Sequence, residues 1–134
     1  MPRIFGHNLL FVLLAAIAIY LVGFVWYMLL FAGAMGDAGV GDTATADWRM
    51  FGVGPLTPVL YALGLAAIAS KAGAAGLMAY AKLGLVCAVG FTIATELADF
   101  AYDARYTTAL TLVDVAHQLV ILPLGAVILS FGRK

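Results

Sequence analysis

The chain has 134 residues, of which 65% are hydrophobic and 10% are charged, and seven basic residues balance seven acidic ones. Soluble domains carry about 25% charged residues, so this composition excludes a water-soluble globule and indicates a single-domain integral membrane protein. A net charge of zero offers no basic surface for nucleic acid, and we therefore expect no nucleic-acid partner. The one cysteine excludes an intrachain disulfide.

Four apolar stretches have about the 20 residues that a membrane-spanning helix needs. The first contains no charged residue, and the third and fourth carry a few acidic and polar side chains. The second is the least regular, because Thr57 and Pro58 have the pattern of a helix start. We therefore expect a kinked second span that begins near Trp48. The predicted fold is an all-α, up-down bundle over residues 1–134, with spans at 9–31, 51–70, 77–100 and 109–131.

The distribution of basic residues predicts the orientation of this bundle. With four spans, both termini and the loop between the second and third helices share one side of the membrane. That side holds Arg3, Lys71, Lys82, Arg133 and Lys134, whereas the other side holds Arg49 and Arg105. The positive-inside rule then places both termini in the cytoplasm. We expect a multi-pass protein of the bacterial inner membrane, with the lipid bilayer as its surroundings.

Acidic and polar residues within the last two predicted helices form the strongest candidate site. At 100° per residue Glu96, Asp99 and Asp103 lie on one side of the third helix. Asp114, His117 and Gln118 do so on the fourth helix. A short loop joins the two helices, so they should pack antiparallel and bring these residues to one depth near the outer face. Ionisable groups within a span are functional candidates because their insertion is costly.

Several interpretations of this polar cluster are open. If a metal is bound, Glu96, Asp114 and His117 are the expected ligands, since carboxylates and imidazole suit divalent cations. The same groups could relay protons, or they could bind an external cation or amine. The simplest interpretation is a hydrogen-bond network that fixes the packing of the helices. No catalytic or cofactor-binding motif occurs in the sequence, so we expect neither an enzyme nor a cofactor.

Aromatic residues on the first helix are candidates for packing or for lining a pocket. Tyr20, Gly23 and Tyr27 follow one stripe of that helix, and Trp26 lies beside them. Glycine permits close helix approach, and phenol groups can bond across helices. His7 precedes the same helix, and we expect it to be an interfacial residue that is too far from His117 to share a haem iron.

Two short segments carry a resemblance to known proteins. Residues Gly23–Phe31 read Gly-x-x-Trp-Tyr-x-x-Leu-Phe, and Leu112–Val120 contains an aspartate and is followed by the apolar run Gly125–Leu129, which begins with a glycine. In these motifs the chain resembles a family of small bacterial four-helix membrane proteins of unknown function. The resemblance implies the four-helix fold and marks Trp26, Tyr27 and Asp114 as positions of interest. It implies no particular activity.

The sequence thus favours a non-enzymatic membrane protein that self-associates or serves as an accessory subunit of a membrane assembly. Small residues on the predicted helices suit close docking, either within one bundle or onto other subunits. The alternative is a proton- or cation-coupled carrier, or a metal-binding protein, that uses the acidic and histidine pocket. The direction of the Glu96 side chain should distinguish these hypotheses.

Overall fold

The computed structural model describes residues 2–37 and 52–133, and these residues are mostly helical. A two-residue hairpin precedes the first helix, with strands β1 and β2 paired antiparallel. The elements in chain order are β1 (Arg3–Ile4), β2 (His7–Asn8), α1 (Leu9–Val25), α2 (Ala32–Asp37), α3 (Leu56–Lys71), α4 (Leu77–Cys87), α5 (Ile93–Tyr102) and α6 (Thr108–Phe131). The π-helical segment Trp26–Leu30 continues α1, and the π-helical segment Ala88–Thr92 joins α4 to α5.

Within the described residues, three continuous helices are long and apolar enough to cross a membrane, which indicates a membrane protein. They comprise Leu9–Leu30, Leu77–Tyr102 and Thr108–Phe131, with 22, 26 and 24 residues. At 1.5 Å per residue each extends more than about 30 Å, which is the thickness of the hydrocarbon layer. The helices α1, α3, α4 and α6 are apolar around most of their circumference, and large apolar side chains are exposed along α1 and α4.

The second predicted span differs from the sequence expectation at its start. Helix α3 begins at Leu56, with Pro55 as its N-cap residue and no side-chain hydrogen bond to the cap. The pattern of Thr57 and Pro58 predicted Thr57 as the N-cap residue. This prediction is wrong, because Thr57 is the second residue of α3. The 16 residues of α3 extend about 24 Å, which is less than a full span. The predicted start near Trp48 lies outside the described residues.

Helix α6 forms the centre of the bundle and packs against α1, α3, α4 and α5. Small residues permit these close contacts: a Cβ on Gly125 would lie 2.8 Å from Ile19 and 3.3 Å from Leu65. The buried core at this level contains few large side chains and many alanines, as is typical of helix packing in membranes. Members of the core in the described residues are Val12, Ala15, Ala16, Ile19, Ala62, Leu65, Ala66, Ala69, Ala74, Tyr80, Cys87, Ala88, Ile121, Leu122, Ala126 and Leu129.

The N-terminal hairpin closes the end of the bundle where the chain also ends. His7 is fully buried, which corrects the expectation of an interfacial residue. Its Nδ1 donates to the carbonyl of Phe5 at 2.9 Å, and its Nε2 accepts from the Tyr80 hydroxyl at 2.6 Å. The Arg133 guanidinium donates to the carbonyl of Ala69 at 2.9 Å and lies 3.4 Å from the Tyr80 oxygen. Every polar atom of the His7 ring therefore has a partner.

Candidate functional site

A cavity of about 460 Å³ lies between α1, α3 and α6, with α5 contributing one residue. Pockets for small molecules usually have volumes of about 300–1,000 Å³, so this cavity has the size of a ligand site. Its polar wall consists of Tyr20, Tyr27, Thr57, Tyr61, Glu96, His117 and Gln118. Its apolar wall includes Ile19, Phe24, Met28, Pro58 and Ile121.

Hydrogen bonds that run from Asp114 through Tyr27 hold the His117 ring in place beside the cavity. The Tyr27 hydroxyl donates to Oδ1 of Asp114 at 2.7 Å. The hydroxyl oxygen of Tyr27 also lies 3.1 Å from Nδ1 of His117. A tyrosine hydroxyl has one hydrogen, and here Asp114 receives it. Nδ1 of His117 must therefore donate to the Tyr27 oxygen, and a neutral His117 ring then carries its free lone pair on Nε2.

Two atoms at the cavity wall lack any hydrogen-bond partner among the described residues: Nε2 of His117 and Oε1 of Gln118. The two side chains are 7% and 6% exposed. Most buried polar atoms in folded proteins have a partner, and each exception needs an explanation. Because leaving one unpaired costs about 1–3 kcal/mol, these two atoms are the strongest sign of a ligand site in the described part of the chain.

Glu96 faces Gln118 across the contact between α5 and α6. The side-chain amide of Gln118 donates to Oε1 of Glu96 at 3.5 Å, which is longer than an ordinary hydrogen bond. The contact leaves most of the hydrogen-bonding capacity of the carboxylate available to other groups. Glu96 is partly buried and is the one charged residue among the described residues that line the cavity.

The end of α1 places two further groups against His117. The indole N–H of Trp26 donates to the carbonyl of Val113 at 3.2 Å, and its ring lies 5.7 Å from the His117 ring between centroids. Trp26 and Tyr27 both lie in the first π-helical segment, and such segments are frequent at functional sites. A Cβ on Gly23 would lie 3.4 Å from Nε2 of His117, so the glycine leaves the space beside that nitrogen open.

The structure brings some of the predicted site residues together and separates others. Glu96, His117, Gln118, Tyr20 and Tyr27 line the cavity. Asp114 lies behind Tyr27 and contacts the cavity through it. Asp99 is partly buried and lies outside the cavity wall.

Asp103 also lies outside the cavity, which corrects its assignment to the pocket. The loop after α5 turns it toward the exposed guanidinium of Arg105, with Nη2 and Oδ2 2.6 Å apart. This hydrogen bond lowers the pKa of the Asp103 carboxyl to about 2. Asp103 is therefore one half of a solvent-exposed ion pair.

Tyr106 lies in the same loop and is close to several carboxyl groups. Its burial, together with the charges of Glu96, Asp114, Asp99 and Asp103, raises the pKa of its hydroxyl. The four carboxyl groups are thus close enough to act on one phenol, although only Glu96 lines the cavity. The end of the bundle at which α5 meets α6 is consequently an acidic region in the described part of the chain.

Sequence reasoning missed the contribution of α3 to the site. Thr57, Pro58 and Tyr61 line the cavity opposite α6, and their spacing of three and four residues puts them on one face of a helix. That spacing could have predicted a polar face of α3 toward the other helices. Pro58 was interpreted only as a sign of where the helix starts. The buried pair of His7 and Tyr80 was also missed, because nothing in the sequence connects residues so far apart.

The arrangement is suited to binding by hydrogen bonds and charge rather than to holding a metal. Among residues 2–37 and 52–133, no three His, Cys, Asp or Glu side chains come close enough to share a metal ion. Of the three suggested metal ligands, Asp114 is directed to Tyr27 and Glu96 to Gln118. His117 presents a single free nitrogen to the cavity.

The comparisons with known proteins identify a family without assigning an activity. No curated protein and no solved structure matches the sequence. A family model described as "Protein of unknown function (DUF1761)" matches residues 10–130, which is nearly the whole chain. The chain therefore belongs to the DUF1761 family of proteins of unknown function.

Proposed function

We propose that this chain is a membrane protein that binds a small molecule in the cavity between α1, α3 and α6. The observation that carries the proposal is the pair of unpartnered, deeply buried atoms at its wall, Nε2 of His117 and Oε1 of Gln118. A ligand that hydrogen-bonds both atoms would remove the cost of burying them unpaired. The mixed polar and apolar wall is typical of small-molecule sites.

A pure packing network, which the sequence favoured, accounts less well for the same residues. In such a network each buried polar group finds its partner on a neighbouring helix, as Tyr27 does with Asp114. His117 and Gln118 each have one atom left over, and Gly23 leaves the space next to His117 open. Three predictions from the sequence are compatible with this proposal and stay predictions. They are self-association, a role as an accessory subunit, and a carrier that is coupled to protons.

We also propose that the chain spans the bacterial inner membrane four times, with both termini in the cytoplasm. Support comes from the basic residues Arg3, Lys71 and Arg133, which lie on elements that meet at one end of the bundle, where Arg133 bonds to α3. Acidic residues dominate the described part of the opposite end. A cytoplasm-active fluorescent reporter at the C-terminus should be fluorescent, and a periplasm-active phosphatase at the same place should be inactive.

The binding proposal is tested with three ligands that share one apolar body and differ in their polar group. These are 4-phenylbutylamine, 4-phenylbutanol and 4-phenylbutyrate, each added to detergent-purified protein during thermal unfolding. A ligand that binds the folded state stabilises it by about 1.4 kcal/mol at ten times its Kd. We expect at least one of the three to raise the unfolding temperature in a concentration-dependent way.

Two valine substitutions separate binding in the cavity from non-specific effects. Gly23→Val should abolish the stabilisation, because the side chain would occupy the space beside Nε2 of His117. Gly64→Val is the matched control, since a Cβ on Gly64 meets nothing within 4 Å and the residue lies outside the cavity wall. Equal responses of the wild type and Gly23→Val, or no response to any of the three ligands, would contradict the proposal.

A further inference from the structure

Three groups at the cavity wall offer hydrogen-bond acceptors, beside the hydroxyl groups of Tyr20, Thr57 and Tyr61. Oε1 of Gln118 is a carbonyl oxygen, and Glu96 contributes a carboxylate. Nε2 of His117 is an acceptor because Nδ1 carries the ring proton. We propose that the cavity selects ligands that carry an ammonium group on an apolar body. This inference rests on the proposed function and specifies the chemical class of its ligand.

The charges of the cavity wall favour the same class. Within residues 2–37 and 52–133, Glu96 is the one charged residue that lines the cavity, and no lysine or arginine lies in its wall. An ammonium group has three N–H donors and no acceptor, which complements a wall that offers three acceptors. A carboxylate ligand would instead place a negative charge beside Glu96, and the described wall offers it only neutral donors such as the Thr57 and Tyr61 hydroxyl groups.

The apolar part of the wall provides room for the body of such a ligand. Ile19, Phe24, Met28 and Ile121 present hydrocarbon or thioether surface to the cavity. Their burial against an apolar ligand contributes about 25 cal/mol per Å² removed from water. The site therefore combines a polar end that specifies the head group with an apolar region that binds the remainder.

Asp114 and Tyr27 act as positioning residues for this selectivity. Asp114 takes the hydroxyl proton of Tyr27, so the Tyr27 oxygen can only accept from His117. That acceptor keeps the ring proton on Nδ1 and the lone pair on Nε2, the ring atom that has no partner among the described residues. Without it the ring is free to adopt the other tautomer, in which Nε2 donates and opposes an ammonium ligand.

The first test measures the Kd values of 4-phenylbutylamine and 4-phenylbutanol for the wild type and Glu96→Gln. Loss of one charge-assisted hydrogen bond should weaken the amine by about 10- to 100-fold, and the alcohol by less than about threefold. Asp103→Asn is the matched control, because that nearby carboxylate lies outside the cavity and pairs with Arg105. It should leave both Kd values unchanged.

The second test addresses the tautomer with Tyr27→Phe, which keeps the aromatic ring and removes the hydroxyl. Nitrogen NMR of the His117 ring should show Nδ1 protonated in the wild type and a tautomer mixture in the variant. Amine binding should weaken by about 3- to 10-fold. An unchanged His117 spectrum in Tyr27→Phe would overturn the positioning role of Tyr27.

The order of affinity of the three ligands separates the proposed binding in the cavity from the inferred selectivity for an ammonium group. Tighter binding of the amine than of the alcohol, with the butyrate weakest, supports ammonium selectivity. If the alcohol or the butyrate binds more tightly, and Gly23→Val still abolishes that binding, the ammonium inference is wrong while the proposed function stands. If none of the three binds, the proposed function and this inference fail together. The ranking requires only the wild type and Gly23→Val, so it decides the question even if Glu96→Gln does not fold.

Discussion

The close packing of α4 on α6 offers a direct test of the fold, through Gly84→Ala. Gly84 lies on α4 against the proline turn of α6. A Cβ at this position would lie 2.6 Å from Cα of Pro123, 2.7 Å from the carbonyl oxygen of Leu122 and 2.8 Å from the nitrogen of Pro123. All three are backbone atoms, so no side-chain rotation can relieve the overlap, and the two helices must separate.

The expected loss of stability follows from two opposing contributions. Overpacking of a well-packed core costs about 1–3 kcal/mol, and an overlap with rigid backbone belongs at the upper end of that range. Alanine is favoured over glycine within a helix by about 1 kcal/mol. The net effect is a loss of about 2 kcal/mol, which corresponds to roughly 8 °C in unfolding temperature for a chain of this size.

Thermal unfolding of the purified protein in detergent, followed by circular dichroism, measures this loss. The matched control is Gly64→Ala on α3, where an added Cβ meets nothing within 4 Å. It keeps the favourable helix contribution without the overlap, so its unfolding temperature should be unchanged or higher. An unfolding temperature of Gly84→Ala equal to that of the control would refute the close approach of α4 to α6.

Two further predictions concern groups at the ends of the bundle. Burial lowers the pKa of His7 below its ordinary value of 6.5, so the unfolded chain takes up this proton more readily, and the stability due to neutral His7 is lost as the pH falls below that value. His7→Gln should therefore flatten the acid side of the stability profile between about pH 5 and pH 8, and identical profiles would contradict this role. Arg105→Gln should raise the pKa of Asp103 from about 2 toward 3.8, as measured by carboxyl-carbon NMR. The unfolding temperature should not change, because the guanidinium is 83% exposed; a pKa that stays near 2 would contradict the pairing.

The length and polarity of the apolar stretches were enough to locate three of the helices. The predicted spans 9–31, 77–100 and 109–131 agree with the helices to within two residues, because a membrane requires long uninterrupted apolar runs. The start of α3 was harder to predict, since proline is compatible with both a helix start and a kink. The π-helical segments Trp26–Leu30 and Ala88–Thr92 were not predicted, and both contact α6.

The candidate site was predictable in its residue types and not in its geometry. The cost of placing polar groups in a membrane directed attention to Glu96, Asp114 and His117. Helical periodicity could place Asp103 on the same face as Glu96, but it could not show that the loop after α5 turns Asp103 toward Arg105. Which buried atoms would be left without partners depends on tertiary contacts, and those are not encoded in any one helix.

The two histidines of the chain show that polar atoms without a hydrogen-bond partner indicate a candidate ligand site better than the residue type does. Both rings donate from Nδ1, His7 to a backbone carbonyl and His117 to the Tyr27 oxygen. They differ at Nε2, where His7 meets the Tyr80 hydroxyl at 2.6 Å and His117, which lines the cavity, has no partner among the described residues. A fully satisfied ring fixes the packing of its neighbours and has no capacity left for a ligand. The ring of His117 is held just as firmly on one side and keeps its acceptor free on the other, which is the arrangement that a binding site requires.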